Sequence, residues 1–348
     1  MKIIHVNLAR GFRGGERQTV TLIQALAQQN DLQQVLVCRN HSPMREALKN
    51  LPHLSFVDAR AQWQGHFQAG RADVVHAHEA RAAHWAYLHH LMLKTPYLIT
   101  RRVDFALKKA FLTQETYCSA AVLVAISHAV AEKLRHFAVP VEVIADSFSK
   151  LPENPARTQA LRQQFAHQFV IGHIGALVDA HKGQADLIEV ARQFATQYPD
   201  CVFLFLGSGA DEAQFKAQSQ DLDNVYWLGF QEDVGSYLAA MDVFAFPSRT
   251  EGLGSTLLDA MVYGVPIVAS NVGGIPDIVQ DGKTGLLFQV NDASDLAEKI
   301  SQLYRQPELG SHLAQQAKEQ LKHFSPEAIA AQYRAIYARI CTVVQNKI

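Results

Sequence analysis

Two carboxylates, Glu251 and Asp259, stand eight positions apart, with Gly252-Leu253-Gly254 between them. The stretch PSRTEGLGSTLLDAMVYGVPIVASNVGGIPDI, residues 247–278, reads as a loop that enters a helix and leaves it for a strand. The helix is expected from about Ser255, whose hydroxyl suits the capping of orphan N–H groups, through Leu257, Leu258, Ala260, Met261 and Tyr263. Gly264-Val265-Pro266 stops it, and the apolar run 266–270 reads as a buried strand. A helix N-terminus with unencumbered amides suits a diphosphate, because partial positive charge gathers there. A carboxylate on either side can accept hydrogen bonds from hydroxyls at the two ends of a ligand. Sugar, diphosphate and ribose in a row is the ligand shape that meets all three features. Such a pair of acids alone would read as two solvated groups beside a helix end; the surrounding glycines and prolines reverse that reading.

Other candidate residues lie where strands are expected to end. Gly11-Phe12-Arg13-Gly14-Gly15-Glu16-Arg17 follows the first strand; its glycines let backbone N–H groups approach a phosphate, with Arg13 and Arg17 near for charge. It is not the GxGxxG fingerprint, and alone it reads equally well as a plain strand-to-helix turn. His76-Ala77-His78-Glu79 ends the fourth strand, where both rings would point to one side. Contact with a ligand in a cleft is favoured there over satisfied strand-end histidines, and over a metal, for which no third ligand is in evident register. Arg101-Arg102-Val103-Asp104, followed by Lys108-Lys109, is either a solvated basic turn or an anion contact for an acceptor or a membrane. In the second half Gly172-His173-Ile174-Gly175-Ala176 ends a strand, and His181-Lys182-Gly183 opens the next helix. Lys182 can neutralise a diphosphate as a point charge. Gly207-Ser208-Gly209 and Leu228-Gly229-Phe230 end strands against which a nucleoside could lie.

These positions require an alternating α/β framework, and the hydrophobic pattern supplies one. Strands are expected at 2–7, 34–38, 54–57, 73–78, 97–102, 121–126 and 141–145, with helices between, such as 16–29, where Val20, Ile23, Leu26 and Ala27 share a face. Residues 149–157, SKLPENPAR, read as a linker. The pattern restarts with strands at 169–175, 202–206, 225–228, 243–247, 266–270 and 285–288. Three helices close the chain, at 294–304, 308–322 and 326–343, the last with Ile329, Tyr333, Ile336, Tyr337 and Ile340 on one stripe. The expected architecture is two Rossmann-like, doubly wound parallel sheets facing a cleft, with ligands at the carboxyl ends of the strands.

Composition agrees with an ordinary globular protein of two domains. The 348 residues exceed the length at which one core stops growing, roughly 250–300. Cys38, Cys118, Cys201 and Cys341 are far apart and form no CxxC pair, which disfavours disulfide frameworks and thiolate zinc sites. The first strand is too short an apolar run for a signal peptide, and no stretch reaches the roughly 20 apolar residues of a spanning helix, so a cytoplasmic protein is expected. The net charge of −1 divides unevenly: residues 1–150 carry 18 Lys and Arg against 11 Asp and Glu, and the rest carry 14 against 22. Eleven of the 16 histidines also fall in the first part. A basic half suits an anionic partner or surface on that side.

In this order the pieces resemble the retaining glycosyltransferases of family 4, which have the GT-B fold. The resemblance spans nearly the whole chain and is strongest in EGLGSTLLDAM and GVPIVASNVGGIPDIV, which look like that family's E-x7-E block and its sequel. It implies an acceptor-binding domain of residues 1–150 with a returning helix in 326–348, and a donor-binding domain of residues 151–325. By resemblance Glu251 binds donor-sugar hydroxyls and Asp259 the ribose, while Gly252, Leu253, Gly254 and Ser255 offer backbone donors near the diphosphate and sugar. Gly14 and Gly15 match the N-terminal diphosphate loop, His78 the cleft histidine near the transferred sugar, and Lys182 the phosphate-binding lysine. Two positions depart from the family pattern. Asp259 stands where Glu is usual, and Ala176 where many members carry Arg, which leaves Lys182, Arg249 or Arg13 to meet the phosphates. The combination GGER, TRRVDF and EGLGSTLLDA looks most like proteobacterial enzymes of lipopolysaccharide-core synthesis.

The implied activity is transfer of a sugar from a nucleotide-diphosphate sugar, with UDP favoured as the carrier, to a saccharide hydroxyl with retained configuration. His78, Lys182 and Glu251 are the expected catalytic residues, and Gly229 and Phe230 join the donor site. Arg101, Arg102 and Arg13 are expected to meet an anionic, lipid-linked saccharide at the cytoplasmic face of the inner membrane. No DxD motif is present, so neither metal nor cofactor is expected, and nothing in the sequence points to nucleic acid. The rival readings are a sugar-nucleotide epimerase on the same fold, a two-lobed sugar-binding protein without catalysis, and a glycoside hydrolase. The last would need its carboxylates about 5–10 Å apart across one bond, which a loop-and-helix pair does not obviously offer.

Overall fold

A computed structural model describes the chain apart from residues 29–30, 106, 108–109, 150 and 346–348, together with the side chains of 344–345. Lys108 and Lys109 of the basic turn therefore lie outside the described residues. Each apolar segment read from the sequence forms a strand. The first seven are β1 (Lys2–Val6), β2 (Gln33–Cys38), β3 (Leu54–Asp58), β4 (Val74–Ala77), β5 (Tyr97–Arg101), β6 (Val122–Ala125) and β7 (Val141–Val143). They pair in parallel in the order β3-β2-β1-β4-β5-β6-β7. The next six are β8 (Phe169–Ile174), β9 (Cys201–Leu206), β10 (Val225–Gly229), β11 (Val243–Phe246), β12 (Ile267–Ser270) and β13 (Leu286–Phe288), in the order β10-β9-β8-β11-β12-β13. Central strands such as VVHA and VFAF are buried along their whole length, as parallel strands covered by helices on both faces must be.

The chain divides into two compact units, Met1–Ser147 with His323–Ile348, and Phe148–Lys322. In the first, the helix Pro326–Gln345 lays Ile329, Tyr333, Ile336, Tyr337 and Ile340 into a core with Ile3, Leu22, Leu26, Val74, Leu98 and Val124. Its two tyrosines also reach the sheet's polar interior. The Tyr337 hydroxyl lies 2.7 Å from His76 Nδ1, and the Tyr333 hydroxyl 3.0 Å from Thr100 Oγ1. In the second unit Phe203, Phe205, Val243, Ala245 and Val268 pack with Phe194 of the helix Gln184–Gln197 and with Leu296 and Ile300 of the helix Ala293–Arg305.

Both sheets have a topological switch point. The chain lays β1, β2 and β3 outward in one direction, then returns past β1 to start β4; β8, β9 and β10 repeat this before β11. The crevices at the carboxyl ends of β1 and β4, and of β8 and β11, are where ligands of such sheets bind.

Fully or nearly fully buried histidines, His5, His76, His78 and His173 among them, make this fold sensitive to acid. Burial holds His5 at a pKa of about 3 and His173 at about 4, and pushes His76 and His78 well below the ordinary 6.5. The unfolded chain binds these protons below pH 6.5 while the folded chain does not, so stability is fully present above 6.5 and falls with pH below it. The expected loss is on the order of 1 kcal/mol per histidine for each pH unit below 6.5. Urea midpoints at pH 7.5, 6.5 and 5.5 should show a plateau followed by a fall; a level profile down to pH 5 would contradict the assignment.

Candidate functional site

In the second unit the loops after β8 and β11 are locked together by glycine. Lys182 ends the short helix Asp179–Lys182, and Gly183 follows with φ 64°. A Cβ at Gly183 would stand 2.1 Å from the Pro247 carbonyl oxygen, so only glycine lets the two loops close on each other. Lys182 Nζ then lies 2.5 Å from Glu251 Oε2 and 4.9 Å from the centre of the Phe246 ring. Glu251 is held at its backbone as well. The Gly274 N–H donates to the Glu251 carbonyl at 3.1 Å, and a Cβ on Gly273, whose φ is 56°, would stand 2.0 Å from the same oxygen. The loop after β12 therefore grips the residue that Lys182 pairs with.

Arg249 has a different place from the one expected on a donor phosphate. Its guanidinium donates to Asp179 Oδ2 and Asp186 Oδ1 at 3.0 Å each, to Asp186 Oδ2 at 2.9 Å, and to Asn291 Oδ1. Two carboxylates balance its charge, so it ties the loop after β11 to the helices following β8. Spacing does not reveal this bracing role, because the three acceptors lie 70, 63 and 42 positions away.

The helix after Glu251 runs Ser255–Val262, and its N-cap is Gly254 at φ 86°, not Ser255. A left-handed cap selects glycine, and Ser255 becomes the first helical residue with no side-chain cap bond made. The first-turn amides are thus not taken up by a capping side chain. Leu253 is 2% exposed, so its side chain belongs to the core and only its backbone could serve a ligand. Asp259 is half-buried one turn further on, and its Oδ1 accepts the Ser149 N–H at 2.8 Å. Ala176 is exposed, and its carbonyl accepts from Gln184 Nε2 at 2.8 Å. Gly229 ends β10, two strands from β8; its φ is 67°, a Cβ there would meet nothing within 4 Å, and Phe230 beside it is 69% exposed.

In the first unit Gly14 and Gly15 do not precede a helix but form its first turn, Gly14–Leu26. Arg13 is exposed, and its N–H is taken by Glu16 Oε2 at 2.7 Å. A Cβ on Gly14 would meet nothing within 4 Å, whereas one on Gly15 would stand 3.9 Å from Arg102 Cδ. Arg101 and Arg102, expected on an acceptor, turn inward. Arg101 is 6% exposed and donates to the Phe105 carbonyl. Arg102 donates through Nε to Asp146 at 3.0 Å and through Nη1 to the His78 carbonyl at 3.2 Å. At the end of a central strand, a guanidinium with such internal partners acts as scaffold.

His78 stands just beyond β4 and is joined by a residue the sequence reading passed over, His5. The β1–β4 register sets His5 beside His76, and a strand order that follows β1 with β4 could not be read from spacing. Gln34 Nε2 donates to the Ile23 carbonyl at 3.1 Å, which leaves Gln34 Oε1 to accept from His5 Nε2 at 3.1 Å. His5 Nδ1 is then bare and accepts the Nε2–H of His78 at 3.0 Å. His78 is thereby fixed as the tautomer with a bare Nδ1, which is buried and has no partner among the described residues. It offers an acceptor lone pair, suited to a hydroxyl. Ring nitrogens of His5, His76 and His78 lie within 4.8 Å of one another, a spacing that could hold a metal ion. Both nitrogens of His76 are, however, 2.7 Å from hydroxyls of Tyr337 and Thr100, so the trio fits a hydrogen-bond chain better than a ligand set. No helix among the described residues is long and apolar enough to cross a membrane.

The fold is that of the GT-B glycosyltransferases: two parallel-sheet α/β units of seven and six strands. Residues 12–145 match the family described as Glycosyltransferase Family 4, and residues 158–320 match Glycosyl transferases group 1. HepE of Anabaena, solved in complex with UDP, superimposes with a TM-score of 0.85 at 19% identity over 97% of this chain and 100% of that one. N-acetyl-alpha-D-glucosaminyl L-malate synthase of Bacillus anthracis is 33% identical over 156 residues, 44% of this chain and 41% of its own. The lipopolysaccharide core biosynthesis glycosyltransferase LpsE of Rhizobium meliloti is 31% identical over 173 residues, 49% of each chain. The alignments with these two curated relatives span about half of their length or less.

Replacing Arg249 by Ala should act as a stability lesion, costing about 1–3 kcal/mol because Asp179 and Asp186 lose their shared counter-ion and its hydrogen bonds. Thermal unfolding of the variant checks this; an unchanged midpoint with weakened nucleotide binding would return Arg249 to the ligand. Gly273→Ala should displace the Glu251 backbone, lowering both the unfolding midpoint and any nucleotide-dependent stabilisation.

Proposed function

We propose that the chain is a retaining, metal-independent glycosyltransferase that moves a sugar from a nucleotide-diphosphate sugar to a saccharide hydroxyl. The observation that carries the reading is the Lys182–Glu251 pair at the second unit's switch point, beside a glycine-capped helix start. Side-chain exposures of 23% and 17% leave the pair within reach of solvent and ligand. A diphosphate is a stronger partner for the ammonium than one carboxylate is, so donor binding draws Lys182 onto the phosphates. Glu251, released, accepts hydroxyls of the sugar. The first-turn amides of the helix Ser255–Val262 face the same anion, and Asp259 accepts from the ribose. The exposed Phe230 and open Gly229 offer a surface to the base.

Catalysis is then electrostatic, with Lys182 and the amides stabilising charge as the diphosphate departs. The acceptor hydroxyl attacks from the leaving-group face, and the departing phosphate takes its proton. In the first unit, taken by itself, the bare Nδ1 of His78 is suited to accept from a sugar hydroxyl, and no β-carbon shields the helix start at Gly14 and Gly15. UDP is the favoured carrier, in line with HepE. A surface-glycan acceptor such as lipopolysaccharide core, met at the cytoplasmic face of the inner membrane, is in line with LpsE and with the basic charge of residues 1–150.

Incubation with UDP-, GDP- and ADP-sugars, with and without lipooligosaccharide, tests the reading by nucleotide release; neither binding nor release with any of them would end it. Glu251→Ala should lower turnover about 100-fold or more. Binding of UDP itself should be no weaker in that variant, because Lys182 loses its competing carboxylate. Near-normal turnover would remove Glu251 from the site.

A further inference from the structure

The first unit holds a second concave site, apart from His78 and the Gly14-Gly15 turn. A cavity of about 360 Å³ opens at the carboxyl ends of β1, β2 and β3, lined by Arg10, Arg39, Asn40, His41, Ser42 and Arg60. That volume falls within the roughly 300–1,000 Å³ of small-molecule pockets. Each strand contributes one guanidinium: Arg10 follows β1, Arg39 ends the β2 side, and Arg60 follows β3. None of the three makes an ion pair with a carboxylate among the described residues, whereas Arg249, Arg192, Arg334 and Arg102 each do. Three like charges around one hollow repel one another, and an anion in the hollow removes that cost.

The arrangement is also partly set in advance. Arg39 Nε donates to the Leu8 carbonyl at 3.1 Å and its Nη2 to the Arg60 carbonyl at 3.3 Å, which bridges the three strand-end loops. Arg60 Nη2 reaches Asn40 Oδ1 at 3.5 Å, while Arg10 is exposed at the rim. Planar guanidinium forks suit the oxygens of phosphate or carboxylate. The arginines first expected to meet an anionic acceptor, Arg101 and Arg102, are committed inward, and the carboxyl ends of β1–β3 carry the guanidiniums that are not.

We propose that this pocket receives the anionic group, phosphate or carboxylate, of a saccharide acceptor, with Arg10, Arg39 and Arg60 as its ligands. The proposal rests on the glycosyltransferase reading for the word acceptor, but the binding it requires can be measured without turnover. The test is calorimetric titration of the whole protein with glucose 6-phosphate, glucuronate and glucose. The same titrations are made on the double variant Arg10→Gln/Arg60→Gln, whose exposed substitutions leave Arg39 and the core in place. Glucose 6-phosphate or glucuronate should bind and glucose should not, and the double variant should weaken the anion at least tenfold while UDP affinity is unchanged. Equal affinity for the anionic sugar in both proteins would overturn the proposal, as would no anionic-sugar binding to the wild type. A parallel sedimentation with phosphatidylglycerol vesicles decides the source of the anion: loss of vesicle binding in the variant, without sugar-anion binding in the wild type, would assign the arginines to a lipid surface instead. Loss of nucleotide release with intact sugar-anion binding would count against the transferase reading and not against the pocket.

Discussion

The second unit depends on two backbone approaches too close for any side chain. Gly183 lies against the Pro247 carbonyl, and Gly273 lies against the carbonyl of Glu251. Together they draw the loops after β8, β11 and β12 into one cluster and set an ammonium against a carboxylate at its centre. The energetics of that pair are modest, since it is partly solvated and its members are not deeply buried. Its value lies in being reversible: a pair that were fully desolvated would be too costly to open. The rigid elements below it, β8 and β11 in a sheet buried on both faces, supply the stability that the pair itself does not.

The first unit works on the opposite plan. Its polar centre is deeply buried, and every member except one nitrogen is satisfied. Gln34, His5 and His78 form one chain of hydrogen bonds, and Thr100, His76, Tyr333 and Tyr337 form another. Low local dielectric strengthens such chains and penalises any break in them. The outcome is a histidine whose tautomer is set at two removes, through His5 and an amide oriented by the Ile23 carbonyl. One charged group, Arg102, closes this assembly by holding the His78 carbonyl with one arm and Asp146 with another.

The framework was legible in the sequence because short apolar runs between helices can do little else. Segments such as VVHA and VFLFL appear as strands within a residue or two of their expected limits, and the stripe through Ile329, Tyr333, Ile336, Tyr337 and Ile340 is buried as its spacing implied. The meeting of Lys182 with Glu251 was half legible: both residues were singled out, but for separate parts of a ligand, and their contact depends on the glycines that bring their loops together. The fates of Arg101, Arg102 and Arg249 were not legible, because a guanidinium's partners are set by strand order and loop packing. Spacing alone does not distinguish an arginine that meets a ligand from one that braces a loop. His5 was missed for the same reason, since β1 and β4 are neighbours in the sheet and distant in the chain. Ser255 misled because a serine ahead of an apolar run reads as a cap, whereas the preceding glycine takes the left-handed turn.

The helix Pro326–Gln345 has a consequence for how the molecule is made. It packs in the core of the first unit, and its Tyr337 and Tyr333 complete the polar chain around His76 and Thr100. On the ribosome that helix emerges after the whole of Phe148–Lys322 has been synthesised. The amino-terminal sheet therefore spends most of its synthesis with an apolar face uncovered and His76 short of one hydroxyl, while the later-made unit holds every strand it needs. The unit begun first is finished last, and a nascent chain stopped before residue 326 would carry one complete sheet and one still waiting for its cover.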